Sequence, residues 1–166
     1  MQIKKKTLDK DIFIWYNIII INIFFLDFDG VTHPDGCDED IEFCKLPFIE
    51  KTIKPFLGKW KIVISSNWKN IQTIKELKLN FSEDIRQHIL GVTPTIKFIK
   101  HPVETRGKEI ELFVKENNID KFIIIDDVNK FFSINQKRFT VTTDPKQGFT
   151  NKSRNKLLKI INENKS

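Results

Sequence analysis

The chain has 166 residues, with 28 Lys plus Arg against 22 Asp plus Glu, a formal charge of +6 and no alanine. That length suits one domain with an ordinary core, and 40% apolar with 30% charged residues excludes wholesale disorder. Cys37 and Cys44 exclude a disulfide framework and lack Cys-x-x-Cys spacing; they read as reduced thiols of an intracellular, cytoplasmic protein. All the basic residues except Arg86, Arg106, Arg138 and Arg154 are lysine, in a composition rich in Phe, Ile and Asn such as an AT-rich genome encodes. The charge therefore permits an anionic partner without requiring one.

Residues 1–11 are polar, and Ile12–Leu26 then forms an apolar run broken by Asn17 and Asn22. No small-residue cleavage site follows, which excludes a signal peptide. The run is shorter than the roughly 20 residues of a membrane span, and no membrane association is expected. The pattern predicts a buried strand ending at Asp27, with residues 1–21 as an extension ahead of a single domain over 1–166. Thr32–Pro47 is the longest irregular stretch, with Asp35, Asp38, Glu39, Asp40 and Glu42 against Lys45. It reads as a solvated acidic loop, leaving the rest of the chain more basic than the total suggests.

Further strands are predicted at Lys61–Ser65, His88–Val92, Ile119–Asp126 and Arg138–Thr143. Helical spacing places Ile71, Ile74 and Leu77 on one face. Ser82 reads as an N-cap before an acidic first turn, with Ile85 and Ile89 inward. Gly107–Asn118 is expected to bury Ile110, Phe113 and Val114, and a last helix capped by Thr150 or Asn151 to bury Leu157, Leu158, Ile160 and Ile161. Continuous apolar strands alternating with helices define an α/β fold with a parallel sheet.

Ligands of such sheets bind beyond the carboxyl ends of the strands. One strand there ends in Asp27-Phe28-Asp29-Gly30, one in Ser65-Ser66-Asn67-Trp68 and one in Asp126-Asp127. Arg106 and Lys108 open the helix leading into the last of these. Crowded carboxylates do not all stay ionised without a cation, and oxygen-only ligands suit Mg²⁺ far better than zinc. A serine hydroxyl with an Arg or Lys suits phosphoryl oxygens, and an aspartate nucleophile would give an acyl-phosphate that water cleaves.

Ile23-Phe-Phe-Leu-Asp27-Phe-Asp29-Gly30-Val31 resembles the first motif of the haloacid dehalogenase (HAD) superfamily. Ile62-Val-Ile-Ser-Ser66 resembles its second, Arg106 its basic third and Ile123-Ile-Ile-Asp126-Asp127 its acidic fourth. Ser66-Asn-Trp68, Gly91-Val-Thr-Pro94, Arg106-Gly-Lys-Glu-Ile110 and Thr143-Asp-Pro-Lys-Gln-Gly148-Phe-Thr150 are similar to the HAD domain of Swiss Army Knife RNA repair proteins, the likeness running from about Ile23 to Thr150. The resemblance implies a HAD-like Rossmannoid three-layer sandwich with a central parallel sheet and minimal cap. It implies Asp27 as nucleophile and Mg²⁺ ligand, and Asp29 as acid and base whose main-chain carbonyl also reaches the metal. Ser66 or Ser65 would bind phosphate, Arg106 or Lys108 would steady the aspartyl-phosphate, and Asp126 and Asp127 would complete the metal site. The expected substrate is a phosphomonoester, among them nucleotides and nucleic-acid termini.

Plainer readings stand beside these. Asp-x-Asp alone is common by chance. A Ca²⁺-binding EF-hand loop is excluded, because Gly30 is fourth rather than sixth from Asp27 and a strand precedes it. Trp68 and Pro94 read as packing and turn residues, His33 as an exposed loop histidine, and His88 and His101 have no ligand spacing. A metal-dependent nuclease, using the carboxylates without Ser66 or Arg106, is the main alternative. A catalytically silent phosphate-binding module is the other.

Overall fold

The structure, a computed structural model, describes residues 21–96 and 105–163. Five parallel strands form one sheet: β1 (Asn22–Leu26), β2 (Trp60–Ile64), β3 (Ile89–Val92), β4 (Phe122–Asp126) and β5 (Thr140–Thr142), in the order β3-β2-β1-β4-β5. The helices are α1 (Leu46–Ile53), α2 (Ile74–Leu79), α3 (Glu83–Arg86), α4 (Thr105–Glu116), α5 (Ile134–Lys137) and α6 (Asn151–Glu163).

Side chains alternate across each strand, so each face of the sheet collects every second residue. Phe24 and Leu26 of β1, Ile62 and Ile64 of β2, and Ile123 and Ile125 of β4 face one way. There they meet Ile49 and Ile53 of α1, Leu77 of α2, Ile85 of α3 and Leu157 and Ile161 of α6. Ile23, Phe25, Val63 and Ile124 face the other way, against Ile110 and Phe113 of α4 and Phe132. The central strands are buried on both faces, which is why β1, β2 and β4 read as unbroken apolar runs. This is the three-layer α/β sandwich that the HAD resemblance implies.

The chain winds outward from β1 through β2 to β3, with α1, α2 and α3 on one face. It then returns under the other face through α4 to lay β4 beside β1. The winding direction reverses between β1 and β4, and their carboxyl ends open a crevice at that switch point. Asp27 directly follows β1, and Asp126 ends β4.

Local sequence explains most boundaries. Pro47 sits in the first turn of α1, where a missing N–H costs nothing. Thr73 and Glu76 make a reciprocal capping box on α2, as Ser133 and Gln136 do on α5. Several expectations need correction. Thr32–Pro47 is not one loop: a 3-10 turn covers Glu39–Ile41 and α1 begins at Leu46. Ile71 is exposed, lying in an irregular turn before the Thr73 cap. Ile89 belongs to β3 rather than to a helix. Ser82 makes no side-chain cap; its N–H and hydroxyl both donate to the Glu50 carboxylate. Leu158 is only partly buried. Of the Ile12–Leu26 run, only Ile21 onward lies within the described residues, as does nothing of His101. No helix among the described residues is long and apolar enough to cross a membrane.

The first turn of α4 is fastened to the segment after β4. The Gln136 side-chain amide donates to Gly107 O at 2.7 Å, and a Cβ on Gly107 would run into Phe131 O. Gly107→Ala is therefore expected to push α4 off that segment and destabilise the protein by about 1–3 kcal/mol. Urea denaturation measures it, and a change under about 0.5 kcal/mol would contradict this packing.

Candidate active site

Ending a buried strand on a carboxylate places charge where water is scarce. Asp27 and Asp126 are both almost fully buried. Asp27 Oδ1 accepts from Phe28 N at 2.8 Å, and Asp126 Oδ1 from Val128 N at 2.8 Å. The other oxygen of each meets the same donor: Arg106 Nη1 bonds Asp27 Oδ2 and, at 2.7 Å, Asp126 Oδ2. Arg106 reaches them from the first turn of α4, its guanidinium 5.5 Å from the Phe131 ring centroid. Asp127 completes the group, one oxygen from each of Asp27, Asp126 and Asp127 lying within 4.8 Å of the others.

The electrostatics are unbalanced. Arg106 offsets one of three carboxylate charges. Burial, opposed by Arg106 but reinforced by Asp126, pushes the Asp27 carboxyl up to about 8. Burial and then Asp126 raise Asp127 to about 6, and burial raises Asp126 as well. Burial works against the charge on Arg106, but Asp27 and Asp126 outweigh it and hold the guanidinium above its usual range. The two charges left over equal that of one divalent cation, and every donor is a hard oxygen, so these residues fit such an ion.

The loop after β1 is braced from the far side of the chain. Gly30 turns at φ +65°, and a Cβ there would lie 2.7 Å from Asp127 Oδ2. Thr143 Oγ1 donates to Gly30 O at 2.6 Å, and Phe149 N donates to Val31 O at 2.8 Å. Gly148, at φ +67°, allows that approach, because its Cβ would sit 2.9 Å from Val31 O. The Thr143–Thr150 motif thus props the turn that carries Asp29.

Asp29 stands apart from the three carboxylates. Its side chain faces Trp68 Nε1, 3.0 Å from both carboxylate oxygens, and His33 Nε2, 3.2 Å from Oδ1. The main-chain carbonyl of Asp29 is the atom that the resemblance assigns to a metal. Ser65, immediately after β2 and level with Asp27 in the β1–β2 register, is buried with its Oγ unpartnered. Ser66 Oγ accepts from Trp68 N at 3.4 Å and caps the 3-10 turn that follows. Lys108 lies on the exposed side of α4.

Three residues differ from the sequence expectation. His33 is buried, not an exposed loop residue, and Trp68 does more than pack. Lys69 carries no local sequence signal of its role. It is buried beside the site and donates to Thr93 Oγ1 at 2.8 Å, Pro94 O at 3.1 Å and Glu109 Oε2 at 2.5 Å. The Lys69–Glu109 pair ties the β2 loop to α4 one turn beyond Arg106. Pro94 is in this sense a turn residue whose carbonyl is used.

A parallel sheet whose switch point is filled by carboxylates, rather than by a glycine-rich phosphate loop, is the arrangement of HAD-type hydrolases. The chain belongs to the family described as the HAD domain in Swiss Army Knife RNA repair proteins, which it matches over residues 23–153. No curated protein and no solved structure matches it.

Raised carboxyls make a test of cation binding. A group whose folded pKa is raised adds stability at low pH that is lost as pH climbs through that value, here through about 6 for Asp127 and about 8 for Asp27. A cation must displace those protons, so it binds more tightly as they leave. Mg²⁺ is expected to raise the thermal unfolding midpoint more at pH 8.5 than at pH 5.5, values chosen about half a unit outside that window. An equal or larger shift at pH 5.5 would contradict it.

Proposed function

We propose that this chain is a Mg²⁺-dependent phosphomonoesterase working through an aspartyl-phosphate on Asp27. The observation that carries the reading is the sharing of Arg106 by Asp27 and Asp126, because it puts a buried nucleophile beside the cation that would receive phosphoryl oxygens. Asp27 Oδ1 is fixed by Phe28 N–H, which leaves Oδ2, on the Arg106 side, to attack phosphorus. The bond to the leaving oxygen breaks as the Asp27–phosphorus bond forms, and Asp29 gives the leaving oxygen its proton. Asp29 then takes a proton from water, whose oxygen attacks the same phosphorus and releases inorganic phosphate and free Asp27.

Asp27, Asp126, Asp127 and the Asp29 carbonyl would hold the Mg²⁺, which offsets charge on the phosphoryl oxygens when bound. The unpartnered, buried hydroxyl of Ser65 supports it, ahead of Ser66, as the hydroxyl that meets phosphate. Arg106 supplies the positive donor, and the exposed position of Lys108 argues against it as substitute.

A phosphorylated nucleic-acid end is the favoured substrate class, a nucleotide the next. The support is the RNA-repair description of the family and, among the described residues, the small size of the insertion after β1. The acidic loop disfavours a polyanion on one side: Asp35 acts on Asp127 closely enough to help raise its carboxyl. A strand end would therefore enter from the opposite side.

A panel of phosphomonoesters with 3′- and 5′-phosphorylated oligonucleotides tests this. Wild type is expected to release phosphate with Mg²⁺ and to leave an acid-stable, hydroxylamine-sensitive phospho-enzyme on quenching. Asp27→Asn should lose at least about 10³-fold in kcat and form no adduct. Arg106→Ala should lose about 10²–10³-fold. Activity surviving in Asp27→Asn would overturn this mechanism, and internal phosphodiester cleavage with no adduct would replace the reading with the nuclease one.

A further inference from the structure

The surroundings of Asp29 are more elaborate than an exposed carboxylate needs. Its side chain is 44% exposed, yet its two neighbours are the buried His33 and the partly buried Trp68. Trp68 Nε1 lies 3.0 Å from each carboxylate oxygen, and His33, itself 3% exposed, places Nε2 3.2 Å from Oδ1. The other histidine nitrogen, Nδ1, is 3.3 Å from Phe43 N and 3.0 Å from Thr32 Oγ1. A backbone N–H only donates, so Nδ1 accepts from Phe43, and a neutral imidazole accepting there carries its proton on Nε2. With Nδ1 an acceptor, the Thr32 hydroxyl 3.0 Å away has one hydrogen to give, to Nδ1 or to Phe28 O, also at 3.0 Å. His33 Nε2 is thereby a donor, aimed at Asp29.

The scaffold holding these donors is stiff. The rings of Phe28, Phe43, His33 and Trp68 pack against one another at centroid separations of 5.2–6.1 Å. Phe43 adopts φ 60°, uncommon for a bulky residue and of the kind found where surrounding structure over-determines a functional site.

We propose that Trp68 and His33 are positioning residues that clamp the Asp29 carboxylate and leave Oδ2 as the oxygen that exchanges the proton. Oδ1 takes the His33 proton and a share of the Trp68 proton, whereas Oδ2 takes only its share of the latter. Oδ2 therefore has the lone pair to spare. The clamp removes the cost of orienting a rim side chain each time substrate arrives. The inference rests on the phosphomonoesterase reading for its chemistry. In the first step the proton on Oδ2 goes to the leaving oxygen as its bond to phosphorus breaks. In the second Oδ2 recovers a proton from the water whose oxygen displaces Asp27.

Proton donation matters most when the leaving group is a poor one, and this separates a misplaced acid from a damaged fold. Trp68→Phe keeps the ring and removes the N–H; His33→Leu removes the second donor; His33→Gln restores a side-chain N–H. With β-glycerophosphate, whose leaving group is an alkoxide, the first two variants should lower kcat/KM by about 10–10²-fold. With p-nitrophenyl phosphate the loss should stay under about threefold, and His33→Gln should recover most of the loss. Equal losses on both substrates, or none on either, would overturn the proposal.

Resonances of the Trp68 indole N–H and the His33 Nε2–H report the clamp without turnover. Asp29→Ala should move both and speed their exchange with water, and unchanged resonances would overturn the clamp. Failure of the underlying reading looks different: wild type would form no phospho-enzyme while those resonances still responded to Asp29→Ala, which upholds the clamp and removes the phosphatase.

Discussion

One guanidinium shared between two buried carboxylates sets the terms for the rest of this molecule. Asp27 and Asp126 lie at the ends of adjacent central strands, so the parallel register of β1 and β4 brings them together whether or not their charges agree. Arg106 makes that tolerable, and only in part. Breaking such a buried pair by removing one partner costs about 3–5 kcal/mol, so the position of α4, which delivers Arg106, is as constrained as the sheet itself. Gly107 lets the helix approach Phe131, Gln136 bonds Gly107 O, and the Lys69–Glu109 pair anchors the next turn to the β2 loop. Each of these contacts serves to hold one positive charge in one place.

The remaining imbalance is what makes the site chemical rather than structural. A protein seeking stability alone would replace such a cluster with apolar residues, which is often neutral or favourable. Here the strand ends keep three carboxylates with one arginine among them, and their carboxyls are held above the ordinary range by burial. The cost is borne by the sheet, whose two apolar faces are continuous behind the site. Topology decides where that cost falls, since β1 and β4 flank the one point at which the winding reverses.

Much of this was legible in the sequence because it depends on local signals. Apolar strands ended by acids, an Asp-x-Asp-Gly turn and a base at a helix start sit in short windows, and those windows mark Asp27, Asp126, Asp127 and Arg106. What stayed hidden depends on partners far apart in the chain. Trp68 meets Asp29 across 39 positions and Lys69 meets Glu109 across 40, so neither role shows in its own neighbourhood. A histidine in the loop after Asp29 reads by default as exposed, but Gly148 and Thr143, more than a hundred residues on, brace that loop. The start of α1 is not legible, since Pro47 reads equally as a loop residue or a first-turn one and with Leu46 falls in the irregular stretch. Exposed Ile71 fits the helical spacing of Ile74 and Leu77, but the Thr73–Glu76 capping box starts α2 after it.

The separation between Asp27 and Asp29 follows from the same strand end. Alternation along an extended chain turns the two side chains to the same side, yet only Asp27 joins the buried cluster, because the chain leaves the sheet after Leu26 and bends at Gly30. Asp27 consequently lives among buried charges, and Asp29 on a rim lined by aromatic rings. Two carboxylates two residues apart are thereby given different environments, one buried against a guanidinium and one half exposed beside an indole and an imidazole. The arrangement needs no difference in residue type. It needs a tight turn, a braced loop and a tryptophan whose single N–H meets the second carboxylate.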